Sequence, residues 1–323
     1  MADPFEHFND MTRALMANIR RTAYPPLNEL TVDQARRAYS ASVGVMEMGR
    51  AHLPRVEDFL VPGPAGLIRC RLWAPVERHV HSELLPVMLW MHGGGFVVGG
   101  IDTCEAMCRS VVAQSGVAVV AVEYRLAPEH KYPAGLEDCF AVLQWLANHG
   151  HSLGLNGARM AVGGDSAGGN LAASSALLAR DAGIPLALQA LFYPSVQSSI
   201  QTESFHQFSQ GTLLTAELMR WFEINARVKD EPIDWRREPL KADHHGVAPA
   251  WIGLAECDAL YDEGQMYAQA LRQAGVPVEV RVWHGVLHDF INMTRFIPEA
   301  KAAHTALAHA LCQAFGLSPR SGG

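Results

Sequence analysis

Residues Arg159–Arg180 read RMAVGGDSAGGNLAASSALLAR. A short apolar run, a cluster of small residues around one serine and a long Ala/Leu-rich stretch follow without a break. The run predicts a strand and the Ala/Leu stretch a helix, with Gly164-Asp165-Ser166-Ala167-Gly168 as the turn between them. That turn matches G-x-S-x-G. A tight, strained turn of this kind needs small neighbours, and Gly164, Ala167, Gly168 and Gly169 supply them. It exposes the Ser166 hydroxyl beside the positive end of the following helix. Alone, the pattern is weak, because a Ser–Gly turn that only caps a helix reads the same way. The strand before it and the helix after it give it weight.

Working outward, the same strand–helix texture continues on both sides. Apolar, β-rich runs occur at Glu57–Val61, Leu67–Trp73, Pro86–Met91, Val117–Glu123, Arg159–Val162, Leu186–Phe192, Pro249–Leu254 and Val278–Trp283. Helix-like segments fall at Thr103–Gln114, Leu136–Asn148, Ala167–Ala182, Glu263–Ala274 and Pro298–Phe315. This alternation predicts an α/β fold with a mostly parallel sheet covered on both faces. The runs VMLWM and VAVVAV are apolar at nearly every position, as buried central strands are. Residues 1–50 read as helical, with Thr31 and Gln34 forming a capping box and Pro25-Pro26 breaking the region in two. Residues 196–245 contain no clear strand. They read as a polar loop (Val196–Gln210) and an amphipathic helix from Thr215, with Leu218, Trp221 and Phe222 on one face. The expected organisation is therefore a core at 51–195 and 246–323, with 1–50 and 196–245 as helical additions over the sheet. A peripheral structural hairpin is the plainer reading of the second addition.

A serine hydroxyl is a weak nucleophile near neutral pH and needs a base, itself oriented by a further group. On a strand–turn–helix scaffold the order along the chain is serine, acid, histidine. The strand Pro249–Leu254 leads into AECDALYDEG, where Asp258 lies in the following loop and is the first choice as orienting acid. Glu256 is the substitute, while Asp262 and Glu263 read as first-turn acids of the next helix. The strand Val278–Trp283 leads into His284-Gly285-Val286-Leu287-His288-Asp289-Phe290, where His284 and His288 compete for the role of base. Their i, i+4 spacing could also suit a metal pair, but Gly285 speaks against a helix and no third ligand is evident.

MHGGGFVVGG (Met91–Gly100) follows the third apolar run. Glycines let backbone N–H groups approach a substrate closely. The loop lacks the lysine of a G-x-x-x-x-G-K-[ST] phosphate cradle and is not G-x-G-x-x-G. With Ser166 admitted, it reads as a set of N–H donors for a developing oxyanion. The reason for Gly99 and Gly100 is less plain; close packing is the expectation.

Of 323 residues, 49% are hydrophobic and 18% charged, which supports a sizeable core; the net charge of −7 argues against nucleic acid or an anionic membrane surface as partner. The polar, acidic N-terminus is unlike a signal peptide, and no apolar segment approaches the length of a membrane span. The six cysteines show no CxxC pairing, and Cys104 and Cys108 read as core residues of a helix. A cytoplasmic protein with reduced thiols is the expectation.

Taken in order, His92-Gly93-Gly94-Gly95-Phe96, Tyr124-Arg125-Leu126-Ala127-Pro128-Glu129, Gly164-Asp165-Ser166-Ala167-Gly168-Gly169, Asp258…Asp262-Glu263-Gly264 and His288 resemble the motifs of the hormone-sensitive-lipase-like (family IV) carboxylesterases of the α/β-hydrolase superfamily. The resemblance runs from about Thr31 to Phe315. It implies Ser166, Asp258 and His288 as catalytic residues, and the backbone N–H groups of Gly94, Gly95 and Ala167 as oxyanion donors with Gly93 shaping the turn. It implies a two-part helical cap from 1–50 and 196–245, a cis peptide at Pro128 with Pro133 as the second candidate, no cofactor or metal, a small-molecule ester substrate of short to medium acyl length, and homodimers formed through the sheet edge. His92 and Tyr124–Glu129 are then structural. Two departures stand out: Ala259 replaces the usual proline after the acid, and Asp289 replaces the usual glycine after the histidine. Asp289 is expected to face solvent, the alternative being an inward turn that raises the pKa of His288. Two rival readings stand beside it: an amidase or a hydrolase of one particular metabolite on the same three residues, since amide and ester cleavage share this machinery, and a non-catalytic small-molecule receptor on the same fold, as in the plant gibberellin receptors, where the histidine is absent. Here Ser166, Asp258 and His288 are all present.

Overall fold

The computed structural model describes residues 4–22, 24–77, 83–198, 201–228 and 233–320. Helices α1 (Asp10–Thr22) and α2 (Val32–Met46) precede strands β1 (Arg55–Gly63) and β2 (Gly66–Ala74). There follow β3 (Leu85–Met91), α3 (Glu105–Ser115), β4 (Ala118–Val122), α4 (Ala134–His149), β5 (Leu155–Asp165), α5 (Ala167–Asp181) and β6 (Leu188–Phe192). Two helices, α6 (Glu203–Phe208) and α7 (Ala216–Ala226), then interrupt the alternation before β7 (Ala250–Cys257), α8 (Tyr261–Gln273), β8 (Val278–Leu287) and α9 (Pro298–Phe315).

The eight strands form one sheet in the order β1-β2-β4-β3-β5-β6-β7-β8. β2 pairs antiparallel with both β1 and β4, and β3 through β8 run parallel. All the strands from β3 onward therefore end on the same edge, where their following loops can meet. Side chains alternate between the faces. Met88, Trp90, Val119 and Ala121 join the apolar layer on one face, with α3 and α9; Leu89, Met91, Val120 and Val122 join the layer on the other, with α4, α5 and α8.

The expected capping box is present: Thr31 caps α2, and Gln34 answers its backbone N–H at 3.0 Å. Pro25 and Pro26 lie in the break between α1 and α2. Leu15 and Met16 of α1 join the layer that contains α9, whereas Ala35 of α2 packs with Val97, Val98, Trp221 and Phe222 above the HGGG loop. Thr215 caps α7 by accepting from the Leu218 N–H at 3.2 Å. Thr215→Ala should lower stability by about 1 kcal/mol, read as a lower denaturant midpoint at unchanged slope.

Three sequence expectations need correction. The stretch 196–210 is not wholly loop, since Thr202 caps α6 through the Phe205 N–H at 3.3 Å; residues 199–200 of that stretch lie outside the described residues. β7 runs three residues past Leu254, so Glu256 sits within the strand and Asp258 directly follows it. β8 continues to Leu287, so His284 is a strand residue rather than the start of a loop. Gly285 does not end β8 because it takes a left-handed φ of 69° and donates its N–H to Glu256 Oε2 at 2.8 Å, where the β7–β8 register shifts. All six cysteines are buried and free. Among the described residues no helix is long and apolar enough to cross a membrane.

Candidate active site

Ser166 sits between β5 and α5 at φ 56° and ψ −119°, a sparsely populated conformation for a residue with a Cβ. The turn closes because its glycines leave no side chain in the way. A Cβ at Gly168 would fall 2.0 Å from the Met91 carbonyl oxygen, and one at Gly164 would fall 2.3 Å from that of Gly168. The strand, turn and helix predicted around Ser166 are all present.

His288 follows β8, and its Nε2 lies 2.9 Å from Ser166 Oγ. Its Nδ1 lies 2.6 Å from Asp258 Oδ2. The other carboxylate oxygen of Asp258 accepts the Leu260 N–H at 2.9 Å, which fixes the carboxylate plane. Tyr193, directly after β6, lies against the imidazole with ring centroids 4.6 Å apart. Burial works to lower the His288 pKa, but the charge and hydrogen bond of Asp258, then Asp289 and Asp165, outweigh it and hold the value above that of a free imidazole.

The rival residues lie elsewhere. His284 and Glu256 face each other at 3.2 Å with side-chain exposures of 78% and 40%, against 10% for His288 and 0% for Asp258. Glu256 is spent on the Gly285 N–H. Among the described residues no group of three metal-ligating side chains forms. Asp262 and Glu263 do lie in the first turn of α8, and both also serve the chain after β6: Asp262 accepts the Ser204 N–H at 2.8 Å, and Glu263 accepts that of Val196 at 3.1 Å.

The HGGG loop follows β3 beside the serine turn. Gly94 and Gly95 take φ values of 115° and 59°, and Phe96 continues at 63°. A Cβ at Gly94 would fall 2.2 Å from the Val98 carbonyl oxygen, and one at Gly95 would fall 2.2 Å from the Phe222 ring of α7. The Gly94 carbonyl accepts from Val97 and Val98 at 3.0 and 2.9 Å, whereas the Gly94 and Gly95 N–H groups find no acceptor among the described residues. Ala167 is the first residue of α5, so helix geometry leaves its N–H without an intrahelical partner. The Gly93 N–H is different: it is spent on Asp165 Oδ1 at 3.0 Å. His92 is buried, with Nδ1 2.7 Å from the Gly93 carbonyl and its ring stacked on Tyr124 at 4.3 Å. Burial pushes its pKa down to about 4, so it stays neutral as a scaffold. Gly99 and Gly100 are close-packed. A Cβ at Gly99 would meet the Gly93 carbonyl and the His92 ring, both at 2.6 Å, and one at Gly100 would meet Glu123 at 2.7 Å. The peptides preceding Pro128 and Pro133 are both cis.

Several residues at the site were not singled out in the sequence. Asp165, fully buried, tethers the HGGG loop to the serine turn; burial, with Asp289 adding to it, pushes its pKa up to about 7. Arg36 of α2 donates to the Val97 and Ala127 carbonyls at 2.9 Å each and pairs with Glu129. Arg237 stacks on Phe96 at 4.5 Å and pairs with Glu223 of α7 at 2.8 Å. Asp165 stood inside the motif, so its place beside the glycine loop was open to inference from the β3–β5 neighbourhood. Arg36 and Arg237 carry no local signal. Asp289 corrects an expectation: it does not point to solvent. It is half-buried, accepting from Asn292 Nδ2 at 2.7 Å and from Tyr39 Oη at 3.4 Å, because its left-handed backbone (φ 68°) turns the carboxylate back toward α2.

A strained serine turn at the carboxyl edge of a parallel sheet, with a histidine and a buried carboxylate supplied by later strands, defines a class of hydrolase folds. Residues 88–292 match the family model described as the α/β-hydrolase fold. The chain is 40% identical to the carboxylic ester hydrolase LipN of Mycobacterium tuberculosis, over 79% of this chain and 69% of that protein. It is 35% identical to an ethyl acetate hydrolase of Pseudomonas putida, over 89% and 92% of the two chains. The solved structure of a hyperthermophilic esterase from the archaeon Pyrobaculum calidifontis matches with a TM-score of 0.90 at 34% identity, over 95% of this chain and 98% of that one. The chain belongs to the α/β-hydrolase family, in its hormone-sensitive-lipase-like branch of carboxylesterases.

Proposed function

We propose that the chain hydrolyses carboxylic esters through Ser166, His288 and Asp258, by way of an acyl-enzyme. The observation that carries this reading is the unbroken run of hydrogen bonds from Asp258 Oδ2 to His288 Nδ1 at 2.6 Å and from His288 Nε2 to Ser166 Oγ at 2.9 Å. His288 takes the Ser166 proton as Oγ attacks the ester carbonyl. Asp258 keeps the remaining ring proton on Nδ1 and stabilises the imidazolium. The tetrahedral oxyanion accepts from the N–H groups of Gly94, Gly95 and Ala167, which are already oriented when charge develops. His288 then protonates the departing alcohol. Water, activated by the same imidazole, releases the acid and restores Ser166. These steps draw on no metal or organic cofactor.

The helices of 1–50 and 196–245 act as a cap on this reading. Phe222 of α7 presses on Gly95 and Arg36 of α2 grips the Val97 carbonyl, so both halves of the cap border the oxyanion loop. A cap closing this near the serine favours short to medium acyl chains, in keeping with the ethyl acetate hydrolase among the relatives. A homodimer formed through the sheet edge belongs to the same reading, and the edge strands are β1 and β8.

A hydrolysis panel tests the proposal. The purified protein is expected to turn over p-nitrophenyl acetate, butyrate and octanoate, with kcat/KM falling steeply at palmitate. The anilide and lactone analogues should be poorer substrates. Absence of ester turnover overturns the function, and a preference for the anilides makes the chain an amidase on the same residues.

A further inference from the structure

We propose that Asp289 is a positioning residue for His288, a second carboxylate held by Tyr39 of α2, so that the seated helix α2 sets the pH range in which the base works. The inference rests on His288 being the base.

Asp289 occupies a left-handed position (φ 68°, ψ 10°) at the start of the 3-10 turn Phe290–Asn292. Glycine fits such a position without strain, and among other residues Asp and Asn tolerate it best. Helix-start carboxylates commonly accept the first N–H groups of the turn they cap. Asp289 does not, since its side chain makes no capping bond to that turn. The carboxylate instead spends one oxygen on Asn292 Nδ2 at 2.7 Å and the other on Tyr39 Oη at 3.4 Å, 250 residues away. It therefore bridges the base loop to α2. One turn earlier on α2, Arg36 donates to the Val97 carbonyl of the oxyanion loop at 2.9 Å. Residues at i and i+3 share a helix face, so one face of α2 touches both the oxyanion loop and the base loop.

The charged and titratable groups around this pair are few. His288 faces Asp258 from the loop after β7, Asp165 from the end of β5, Asp289 beside it and Tyr193 from the loop after β6. Asp289 faces His288, Asp258 and Asp165, with Tyr193 reaching it from the loop after β6 and Tyr39 and Glu47 from α2 and its C-terminus. Asp289 acts through space on the imidazolium rather than by a hydrogen bond to it. Burial raises the Asp289 carboxyl above its ordinary value, while His288, Asn292 and Tyr39 pull it back toward the ionised form. The Tyr39 hydroxyl keeps its proton because burial and the neighbouring carboxylates push its pKa well up. It is thus a donor at every working pH.

The sign follows from these charges. A carboxylate near His288 favours the imidazolium. Removing it lets the base stay neutral to lower pH, which moves the acid limb of kcat/KM downward. Removing the Tyr39 donor makes Asp289 easier to protonate, with a smaller shift in the same direction.

The test compares pH profiles of kcat/KM on p-nitrophenyl butyrate for wild type, Asp289→Asn, Asp289→Gly, Tyr39→Phe and the Tyr39→Phe/Asp289→Asn pair. His288→Ala is the control, and thermal unfolding checks each fold. The glycine variant suits the backbone and guards against misfolding of the asparagine variant. Below the acid midpoint, both Asp289 variants should retain a several-fold larger fraction of their plateau rate than wild type. Tyr39→Phe should show a smaller gain, and the double variant should match Asp289→Asn alone. A purely structural role would lower the plateau and leave the limb in place, which overturns the proposal. A limb moved by Asp289→Asn and Asp289→Gly but not by Tyr39→Phe overturns the role of α2. Retained activity in His288→Ala overturns the catalytic reading itself and is distinguishable from either result.

Discussion

Ser166→Ala is expected to lower kcat on p-nitrophenyl butyrate by about six orders of magnitude, the scale of nucleophile loss in enzymes whose catalytic groups act as a unit. The oxyanion donors would remain, so a residual acceleration of about a thousandfold over water should survive. The loss must appear in kcat, because Oγ is needed at the transition state and contributes little to ground-state binding. Rates near wild type would sink the mechanism. Stability offers a second reading of the same position. Alanine keeps a Cβ and so keeps the strain at φ 56°. Ser166→Gly removes the Cβ, and should unfold at a higher temperature than Ser166→Ala by an amount matching about 1 kcal/mol. Strain held at the serine turn is then measurable apart from chemistry.

What was legible in the sequence was local. The strand, turn and helix around Ser166 lie within one unbroken stretch, and the small residues that let the turn close are its immediate neighbours. The apolar strands were legible because burial on both faces leaves few polar positions in them. The ends of β7 and β8 were not. Gly285 reads as a breaker, yet here its positive φ forms an irregularity inside β8 that Glu256 secures from β7. Neither residue signals the other, because the bond joins positions 29 apart. α6 leaves no signal in the sequence beyond its cap Thr202, because a six-residue helix is too short to display a period. The direction of Asp289 is not legible for a related reason. Its direction depends on a backbone sign that sequence does not specify, and on Tyr39, 250 residues earlier. The choices between Glu256 and Asp258, and between His284 and His288, were likewise left open by spacing. They turn on which side chains are buried together, a property of the closed sheet edge.

Asp258→Asn should reduce kcat by about 10⁴ while leaving the fold intact. Asparagine is nearly isosteric, and its carbonyl can still accept the Leu260 N–H that Asp258 Oδ1 now accepts at 2.9 Å. What changes is the proton inventory. The asparagine amide can donate to His288 Nδ1, which pushes the ring proton to Nε2, the atom 2.9 Å from Ser166 Oγ. An imidazole protonated there cannot accept the serine proton. The variant also loses the negative charge that stabilises the imidazolium, so the acid limb of kcat/KM should move to lower pH as the plateau falls. Glu256→Gln provides the contrast. Its side chain is 40% exposed and contacts the solvent-facing His284, and glutamine retains an oxygen for the Gly285 N–H. Its kcat should stay within a few-fold of wild type. If Glu256→Gln were the more damaging change, the acid would have to be reassigned, and the 2.6 Å contact between Asp258 and His288 would belong to structure rather than catalysis.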